Sequence, residues 1–209
     1  MSLFVTFEGI EGSGKSAHAR ALVAALRARG RDVVETREPG GTPAGVAIRA
    51  LLLGTDATPL SPLAELFLYC ADRTQHVTQV IRPALAAGRI VVCDRFSDST
   101  VAYQGYGRGL DLEMVRALDA RARDGLAPSL TLLLDCPVEV GLARARARAG
   151  SDDRFEREAV AFHERIRTGF REIAASASDR VVVVDSTADA ADVSERVLAA
   201  TLARLGTAA

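Results

Sequence analysis

The segment from Gly9 to Ser16 carries residue types that suit the binding of nucleotide phosphates. Its sequence matches the pattern GxxxxGK(S/T) at every fixed position, and an apolar run precedes it. Glycines let backbone N–H groups approach phosphate oxygens, the lysine can reach the β- and γ-phosphates, and the serine offers an oxygen to Mg²⁺. We therefore predict a P-loop that binds ATP and Mg²⁺. Its residues are Gly9, Ile10, Glu11, Gly12, Ser13, Gly14, Lys15 and Ser16.

A second group of candidate residues follows the apolar segment 89–93. Asp94 would stand at the carboxyl end of a buried strand, where its carboxylate can order Mg²⁺ together with Ser16. Arg95 presents a fork of donors that fits a phosphate group. The alternative is an ion pair at the protein surface, but a position directly after a buried strand favours a functional site.

The composition limits the classes of function. The chain has 209 residues, enough for one domain with a small lid, and we expect residues 1–209 to form it. Its 26 basic and 27 acidic residues balance, which argues against a protein that wraps nucleic acid. Cys70, Cys93 and Cys136 are too far apart for a metal or redox motif. We find no membrane-length apolar run and no basic leader, so we expect a cytoplasmic protein.

Alternating strand and helix signals surround these candidate residues. Runs of apolar and β-branched residues predict buried strands over 3–8, 32–36, 89–93, 130–134 and 181–184. Helical patterns cover 17–26, 42–53, 63–88 with a break at Pro83, 112 onward, 138 onward, 155–175 and 189–205. This alternation predicts an α/β fold with a mainly parallel sheet covered on both faces.

Among P-loop proteins, the chain best fits a small-molecule kinase. A GTPase would carry an Asn-Lys-x-Asp motif, which the sequence lacks. Motor and transporter ATPases are usually larger. A polar loop after each strand and a basic segment late in the chain suit a kinase whose site lies at the carboxyl ends of the strands.

Four segments of the chain closely resemble thymidylate kinases. They are 7–15, 37–43, 94–105 and the helical stretch 64–73, which ends in Ala-Asp-Arg. The block Asp-Arg…Ser-x-x-Ala-Tyr-Gln within 94–105 is specific to that family among the nucleoside monophosphate kinases. The resemblance extends from the first strand to the last.

This resemblance implies a three-layer P-loop fold, with a five-stranded parallel sheet flanked by helices and a lid over about residues 144–156. It implies transfer of the γ-phosphate of ATP to dTMP, giving dTDP on the way to dTTP, with Mg²⁺ as cofactor. It also implies a homodimer. Lys15, Asp94 and Arg95 would act in catalysis, with Arg95 holding the phosphate of dTMP.

Glu11 places a negative charge inside the P-loop. In the family this position is commonly acidic and faces the acceptor, where it can accept from the 3′-hydroxyl of dTMP or bind Mg²⁺ through water. Members with an acid here take the arginine that stabilises the transferred charge from the lid. Arg148 is our first candidate and Arg154 its competitor, while Arg144 and Arg146 stay open. The alternative for this cluster is a solvated basic helix face.

The acceptor base would bind beside two residues of one helix face. Tyr69 and Arg73 are four positions apart and project together, so Tyr69 would stack on thymine and Arg73 would donate to its O4. A half-buried aromatic over a surface arginine is the alternative. Tyr103 against C2′ would exclude a ribose hydroxyl. The other predicted acceptor contacts are Pro39, Ser99, Thr100 and Gln104.

Two other functions stay open at this point. One is a kinase for another nucleotide or for a nucleoside, and the other is a P-loop ATPase that uses phosphates as a regulatory switch. A nucleoside kinase would have no acceptor phosphate for Arg95 to bind. His18, His76 and His163 each fall on a predicted helix with no partner in view, so we assign all three to the surface or to packing.

Overall fold

Five parallel strands form a central sheet in the computed structural model, which describes residues 2–54, 59–147, 155 and 158–207. The strands are β1 Leu3–Glu8, β2 Val33–Arg37, β3 Ile90–Asp94, β4 Leu130–Asp135 and β5 Val181–Asp185. They lie in the order β2-β3-β1-β4-β5, so the central strand leads directly into the P-loop. The predicted strands are confirmed, with bounds that shift by at most one residue.

The middle of the sheet is buried on both faces, which is why its strands are apolar throughout. Leu3, Val5 and Phe7 alternate along β1 and share one core cluster with residues of the first and last helices. Phe4 points to the opposite face, where its ring meets Phe96 edge-on at a centroid distance of 4.9 Å. These two layers hold the carboxyl ends of β1 and β3 at one edge.

The helices cover both faces of this sheet. They are α1 Lys15–Arg27, α2 Pro43–Leu53, α3 Pro62–His76, α4 Arg82–Ala86, α5 Ser97–Thr100, α6 Leu112–Ala122, α7 Val138–Ala147, α8 Val160–Ser176 and α9 Ala190–Thr207. Thr42 and Ser61 cap α2 and α3 with their hydroxyls, each followed by a proline at the first position, as predicted. None of the helices in the described part of the chain is long and apolar enough to cross a bilayer.

Two π-helical turns alter the predicted helix pattern. The first, Val77–Ile81, separates α3 from α4, so Pro83 falls in the first turn of α4, where its missing N–H costs little. The second, Val101–Gly107, continues α5 and carries Tyr103 and Gln104. The candidate residues Ser99, Thr100, Tyr103 and Gln104 therefore lie on consecutive helical turns. Wide helical turns of this kind are common at functional sites.

The helix predicted from residue 155 begins later than expected. Phe155 lies in a turn, and α8 starts at Val160 because Ala159 has an extended backbone with ψ of 149°. The part of the predicted lid at 148–154 lies outside the described residues, together with Arg148 and Arg154.

The P-loop packs against α7 through two glycines. Gly12 has a positive φ of 69°, and a Cβ on it would lie 1.9 Å from the carbonyl oxygen of Gly141. In return, a Cβ on Gly141 would lie 2.5 Å from the carbonyl oxygen of Glu11. Both positions therefore require glycine, one for its backbone conformation and both for the close approach.

We expect Gly141→Ala to lower the free energy of unfolding by about 1–3 kcal/mol, because the added methyl group meets the P-loop backbone. Gly206→Ala in α9 is the matched control, since its methyl group would meet nothing within 4 Å. There we expect no loss, and a gain of up to about 1 kcal/mol. Urea unfolding measures both values, and equal effects at the two positions would contradict the close packing.

Candidate active site

One pocket opens at the edge of the sheet where β1, β2 and β3 end. The P-loop contributes Glu11, Gly12, Lys15 and Ser16 to its wall. The same wall contains all the residues predicted to bind the acceptor, which are Pro39, Tyr69, Arg73, Arg95, Ser99, Thr100, Tyr103 and Gln104. Residues from four separate segments of the chain thus meet in one cavity, and their individual roles stay predictions.

The P-loop lysine is held inside its own loop. Lys15 donates from Nζ to the carbonyl oxygen of Ile10 at 2.6 Å and to the hydroxyl of Ser13 at 3.2 Å. Burial and the nearby charge of Arg95 lower the pKa of Lys15 to about 8, against the opposite effect of the surrounding carboxylates. A phosphate bound in the loop would add negative charge beside the buried ammonium group of Lys15 and would favour its charged form.

The two residues predicted to bind Mg²⁺ touch each other. The Ser16 hydroxyl donates to the Asp94 carboxylate at the end of β3. Hydroxyl and carboxylate oxygens are ligands that Mg²⁺ accepts, and Mg²⁺ commonly takes only one or two of them from the protein. The pair of Ser16 and Asp94 therefore fits an ion whose other ligands would be phosphate oxygens and water.

Arg95 is fixed by its backbone and by four acceptors. Its φ of 70° lies in the left-handed region, which is uncommon for a residue other than glycine and is typical of functional sites. Nη1 donates to the Gly9 carbonyl oxygen at 3.0 Å and to the Ser99 hydroxyl at 3.1 Å. Nη2 donates to Glu11 at 3.2 Å and to the Tyr103 hydroxyl at 3.0 Å. Protein atoms therefore occupy the whole fork that would bind a phosphate.

Glu11 is enclosed by three donors. Its Oε1 accepts from Arg95 and Tyr103, and its Oε2 accepts from Nδ1 of His163 at 3.1 Å. Burial by itself would raise the pKa of Glu11, but the hydrogen bond from His163 and the charges of Arg95 and Lys15 outweigh it and lower the pKa to about 2. Glu11 is thus a buried carboxylate ion beside the P-loop.

Glu8, the last residue of β1, lies behind this site. Its carboxyl group accepts from the backbone N–H of Phe96 at 2.9 Å and lies 2.5 Å from the Ser99 hydroxyl. Burial raises the pKa of Glu8 to about 8, with a further rise from the nearby Asp98. A neutral Glu8 therefore fixes the turn that carries Ser99.

Arg73 is buried rather than exposed, so the alternative of a surface arginine is wrong. Its Nε and Nη2 each lie 2.9 Å from Oε2 of Glu38, and its Nη1 donates to Asp119 at 2.6 Å and to Thr100 at 2.9 Å. Burial opposes its charge, but Glu38 and Asp119 more than compensate and raise its pKa. Of its five N–H groups, one on Nη2 has no acceptor among the described residues.

The histidines have more partners than the sequence suggested. His76 is fully buried. Its Nδ1 forms a hydrogen bond with Glu38 at 2.9 Å, and its Nε2 forms one with the Thr36 hydroxyl at 2.7 Å. His163 is equally buried against Glu11, and His18 hydrogen-bonds Ser194 at 2.9 Å. The expectation of partnerless histidines was therefore wrong.

The sequence of α8 carried a signal for one of these histidines, His163. His163 stands at the spacing of the buried residues Ile166, Phe170 and Ile173 along α8, so it is a polar side chain on an apolar face. Other lining residues that the sequence analysis did not select are Arg37, Glu38, Arg49, Leu53, Phe96 and Phe155. Arg37 and Glu38 lie inside a segment that carried the resemblance but was used only for Pro39.

The described lid arginines differ in position. Arg144 donates to the backbone carbonyl oxygen of Ser186 at 2.8 Å, after β5, and Arg146 is exposed. This contact places the Arg144 side chain beside the loop that follows β5. The choice between Arg148 and Arg154 falls on residues outside those described.

The fold and this pocket define a P-loop nucleotide-binding protein of the α/β class, with its loop after the central strand of a parallel sheet. A family model described as thymidylate kinase matches residues 7–197. The chain belongs to the thymidylate kinase family.

Known relatives match almost the whole chain. The thymidylate kinase of Trichlorobacter lovleyi is 50% identical over 208 residues, which cover 97% of this chain and 98% of that protein. The one from Desulfovibrio desulfuricans is 54% identical over 197 residues, 91% of each chain. A crystal structure of thymidylate kinase from Ehrlichia chaffeensis superposes with a TM-score of 0.77 at 34% identity, covering 96% of this chain and 98% of that one.

The raised pKa of Glu8 predicts a pH-dependent stability. The folded protein binds this proton more tightly than the unfolded chain, so the wild type loses stability as pH rises from about 4.5 to about 8. Glu8→Gln removes the titration and keeps an acceptor oxygen. We expect the unfolding free energy of the wild type, relative to the variant, to be lower at pH 8.5 than at pH 5.5.

Urea unfolding at both pH values measures this difference. Glu35→Gln on β2, an exposed position, is the matched control for removing one carboxylate. A difference between wild type and Glu8→Gln that stays constant from pH 5.5 to pH 8.5 would show that Glu8 does not hold a proton in the folded state.

Proposed function

We propose that this protein transfers the γ-phosphate of ATP to dTMP, forming dTDP, a step towards dTTP. The observation that carries the proposal is the shared pocket, in which the P-loop residues Lys15 and Ser16 face Arg95 and the pair Tyr69 and Arg73. Phosphoryl transfer needs two polyanions held in line in a site that neutralises their charge. This arrangement supplies cations between a donor loop and an acceptor pocket.

The donor side is formed by the P-loop. Its backbone N–H groups and the start of α1 would hold the phosphates, and Lys15 would leave the Ile10 carbonyl to reach the β- and γ-phosphates. Ser16 and Asp94 would hold Mg²⁺, which bridges phosphate oxygens and neutralises developing charge. The direct contact between their oxygens supports this assignment.

Arg95 would bind the phosphate of dTMP. Its fork donates to Gly9, Ser99, Glu11 and Tyr103, so binding would exchange some of these acceptors for phosphate oxygens. Such an exchange keeps the half-buried guanidinium paired at every stage, which avoids the cost of an isolated, poorly solvated charge. Its left-handed backbone keeps the side chain directed at the P-loop.

The base would lie between Tyr69 and Arg73. The uncommitted N–H on Nη2 of Arg73 can donate to O4 of thymine, while Glu38, Asp119 and Thr100 hold the rest of the guanidinium. Pro39 would contact the thymine methyl group. The amide of Gln104, whose Nε2 donates to Glu65 at 2.7 Å, would complete the base contacts.

The sugar would lie beside the P-loop acid. Tyr103 would pack against C2′ and exclude a ribose hydroxyl, because its ring is fixed edge-on by Phe155 and Phe170 at centroid distances of 5.5 and 6.2 Å. Glu11 would accept from the 3′-hydroxyl or contact Mg²⁺ through water. The contact between the Tyr103 hydroxyl and Glu11 keeps both groups on the acceptor side.

The lid would supply the arginine that stabilises the transferred charge. We propose one domain over 1–209 with a lid at about 144–156, and Arg148 as this arginine with Arg154 as the alternative. The hydrogen bond from Arg144 to Ser186 favours a role for Arg144 away from the transferred phosphate. Closure of such a lid would exclude water before transfer.

We also propose a cytoplasmic homodimer. Helices α2 and α3 expose large apolar side chains next to each other in the fold, a feature typical of an interaction surface. These side chains are Val46, Leu51, Leu63 and Phe67. Three free cysteines, none of them in a disulfide, agree with a reducing compartment.

An acceptor assay tests the function directly. With ATP and Mg²⁺, we expect dTMP to become dTDP well before dCMP, GMP or thymidine reacts. A preference for thymidine would identify a nucleoside kinase instead, and ATP hydrolysis that ignores every acceptor would identify a regulatory ATPase.

Lys15→Ala tests the donor site in the same assay. We expect kcat to fall by about 100-fold or more, because one preorganised charge donor is lost, while the circular dichroism spectrum stays that of the wild type. Arg29→Ala, an exposed arginine after α1, is the control for removing a positive charge. Unchanged turnover in Lys15→Ala would remove the P-loop assignment.

Substitution of Tyr69 tests the base site with less disturbance than substitution of Arg73. Loss of the Arg73 side chain would leave Glu38 and Asp119 buried and unpaired. We expect Tyr69→Leu to raise KM for dTMP by about tenfold, because a stacking face is lost, with KM for ATP unchanged. Tyr69→Phe keeps that face and should stay within about threefold of the wild type. Equal effects of the two variants would place thymine elsewhere.

A further inference from the structure

We infer that His163 is a positioning residue for phosphoryl transfer, which acts through Glu11 to hold Arg95 and Tyr103 in the acceptor site. The inference rests on the proposed function and adds to it a residue that lies behind the pocket wall. His163 belongs to α8, while Glu11 belongs to the P-loop, and 152 positions separate them in the chain.

The contacts of Glu11 make its orientation depend on His163. Oε2 accepts from His163, and Oε1 accepts from both Arg95 and Tyr103. Each carboxylate oxygen therefore has its own set of donors. The carboxylate cannot rotate without breaking contacts on both sides, so the three donors fix one orientation.

His163 is the donor in this contact. Glu11 is an ion and can only accept, so Nδ1 of His163 must carry the proton. The imidazole is fully buried, and its edge packs against Phe162 with ring centroids 5.5 Å apart. Its Nε2 is also buried and has no hydrogen-bond partner among the described residues.

Packing by itself does not account for a histidine here. A buried polar group without a partner costs free energy, whereas leucine would fill a similar volume at an apolar position without that cost. The neighbours of His163 on the same face of α8 are apolar, namely Ile166, Phe170 and Ile173. Among the described residues, the one polar contact that compensates the burial of its ring is the hydrogen bond to Glu11.

Loss of the hydrogen bond from His163 would change how strongly Glu11 competes with the phosphate of dTMP for the guanidinium group of Arg95. Without His163, Oε2 of Glu11 would be a buried charged oxygen in need of a donor, and Arg95 and Lys15 are the nearby cations. A tighter Glu11–Arg95 pair would hinder the exchange of protein acceptors for the phosphate of dTMP. The expected signature is therefore a higher KM for dTMP with little change in KM for ATP.

Two substitutions separate hydrogen bonding from packing. His163→Asn places an amide N–H near the position of Nδ1 but leaves a gap, whereas His163→Leu fills the volume and donates nothing. We expect His163→Leu to raise KM for dTMP by about tenfold or more, the scale of a lost hydrogen bond to a charged group, and His163→Asn to stay within about threefold. If packing alone mattered, the order would be reversed, and the inference would be overturned.

Combination with Glu11→Ala, which removes the acceptor of the hydrogen bond from His163, tests the route of the effect. If His163 acts through Glu11, adding His163→Leu to Glu11→Ala should raise KM for dTMP no further. A full additional tenfold rise would overturn the inference. Ile166→Val, one turn along α8 and equally buried, controls for disturbed packing and should leave KM for dTMP unchanged while melting temperatures are compared.

The outcomes remain separable from those of the proposed function. A wild type that phosphorylates dTMP together with a His163→Leu variant of unchanged KM overturns only the inference. A wild type that does not phosphorylate dTMP overturns the proposed function and the inference with it. If His163→Leu fails to fold, His163→Gln takes its place, because its longer amide also lacks a donor at the position of Nδ1.

Discussion

The structure depends on pairing two arginines of the pocket, the buried Arg73 and the half-buried Arg95, with carboxylates. Arg95 is paired with Glu11, and Arg73 is paired with Glu38 and Asp119. An unpaired buried cation would cost several kcal/mol, so these carboxylates compensate the charges of both arginines. The same contacts preset the directions of both guanidinium groups.

This pairing explains why so much of the chain meets at one edge of the sheet. Strand β1 supplies the acid in the P-loop, β2 leads to Glu38, and β3 leads to Arg95. Helices α3 and α6 then bring Arg73 to Asp119, and α8 brings His163 to Glu11. A parallel sheet collects the ends of its strands in one place, so charges distant in sequence can neutralise each other there.

The predictions that were confirmed rest on local patterns in the sequence. The P-loop, the strands and the caps at Thr42 and Ser61 follow from residues within a few positions of each other, and the structure contains them as expected. The contacts around the arginines were not predictable in this way, because they join helices far apart in the chain. The sequence placed Arg73 in the pocket but gave no sign that Glu38 and Asp119 would face it. The π-helical turn at Val101–Gly107 likewise has no pattern in the sequence that distinguishes it.

The contact between Gly12 and Gly141 constrains how this chain can change over evolution. Both partners are already the smallest residue, so an enlargement on one side cannot be offset by a reduction on the other. Packed segments usually diverge through compensating pairs of substitutions, but no such pair is possible at this contact. The P-loop and α7 can vary only through a shift of the backbone, which would also move the loop relative to the sheet. We therefore regard the two segments as a single inherited unit, although about 130 positions separate them.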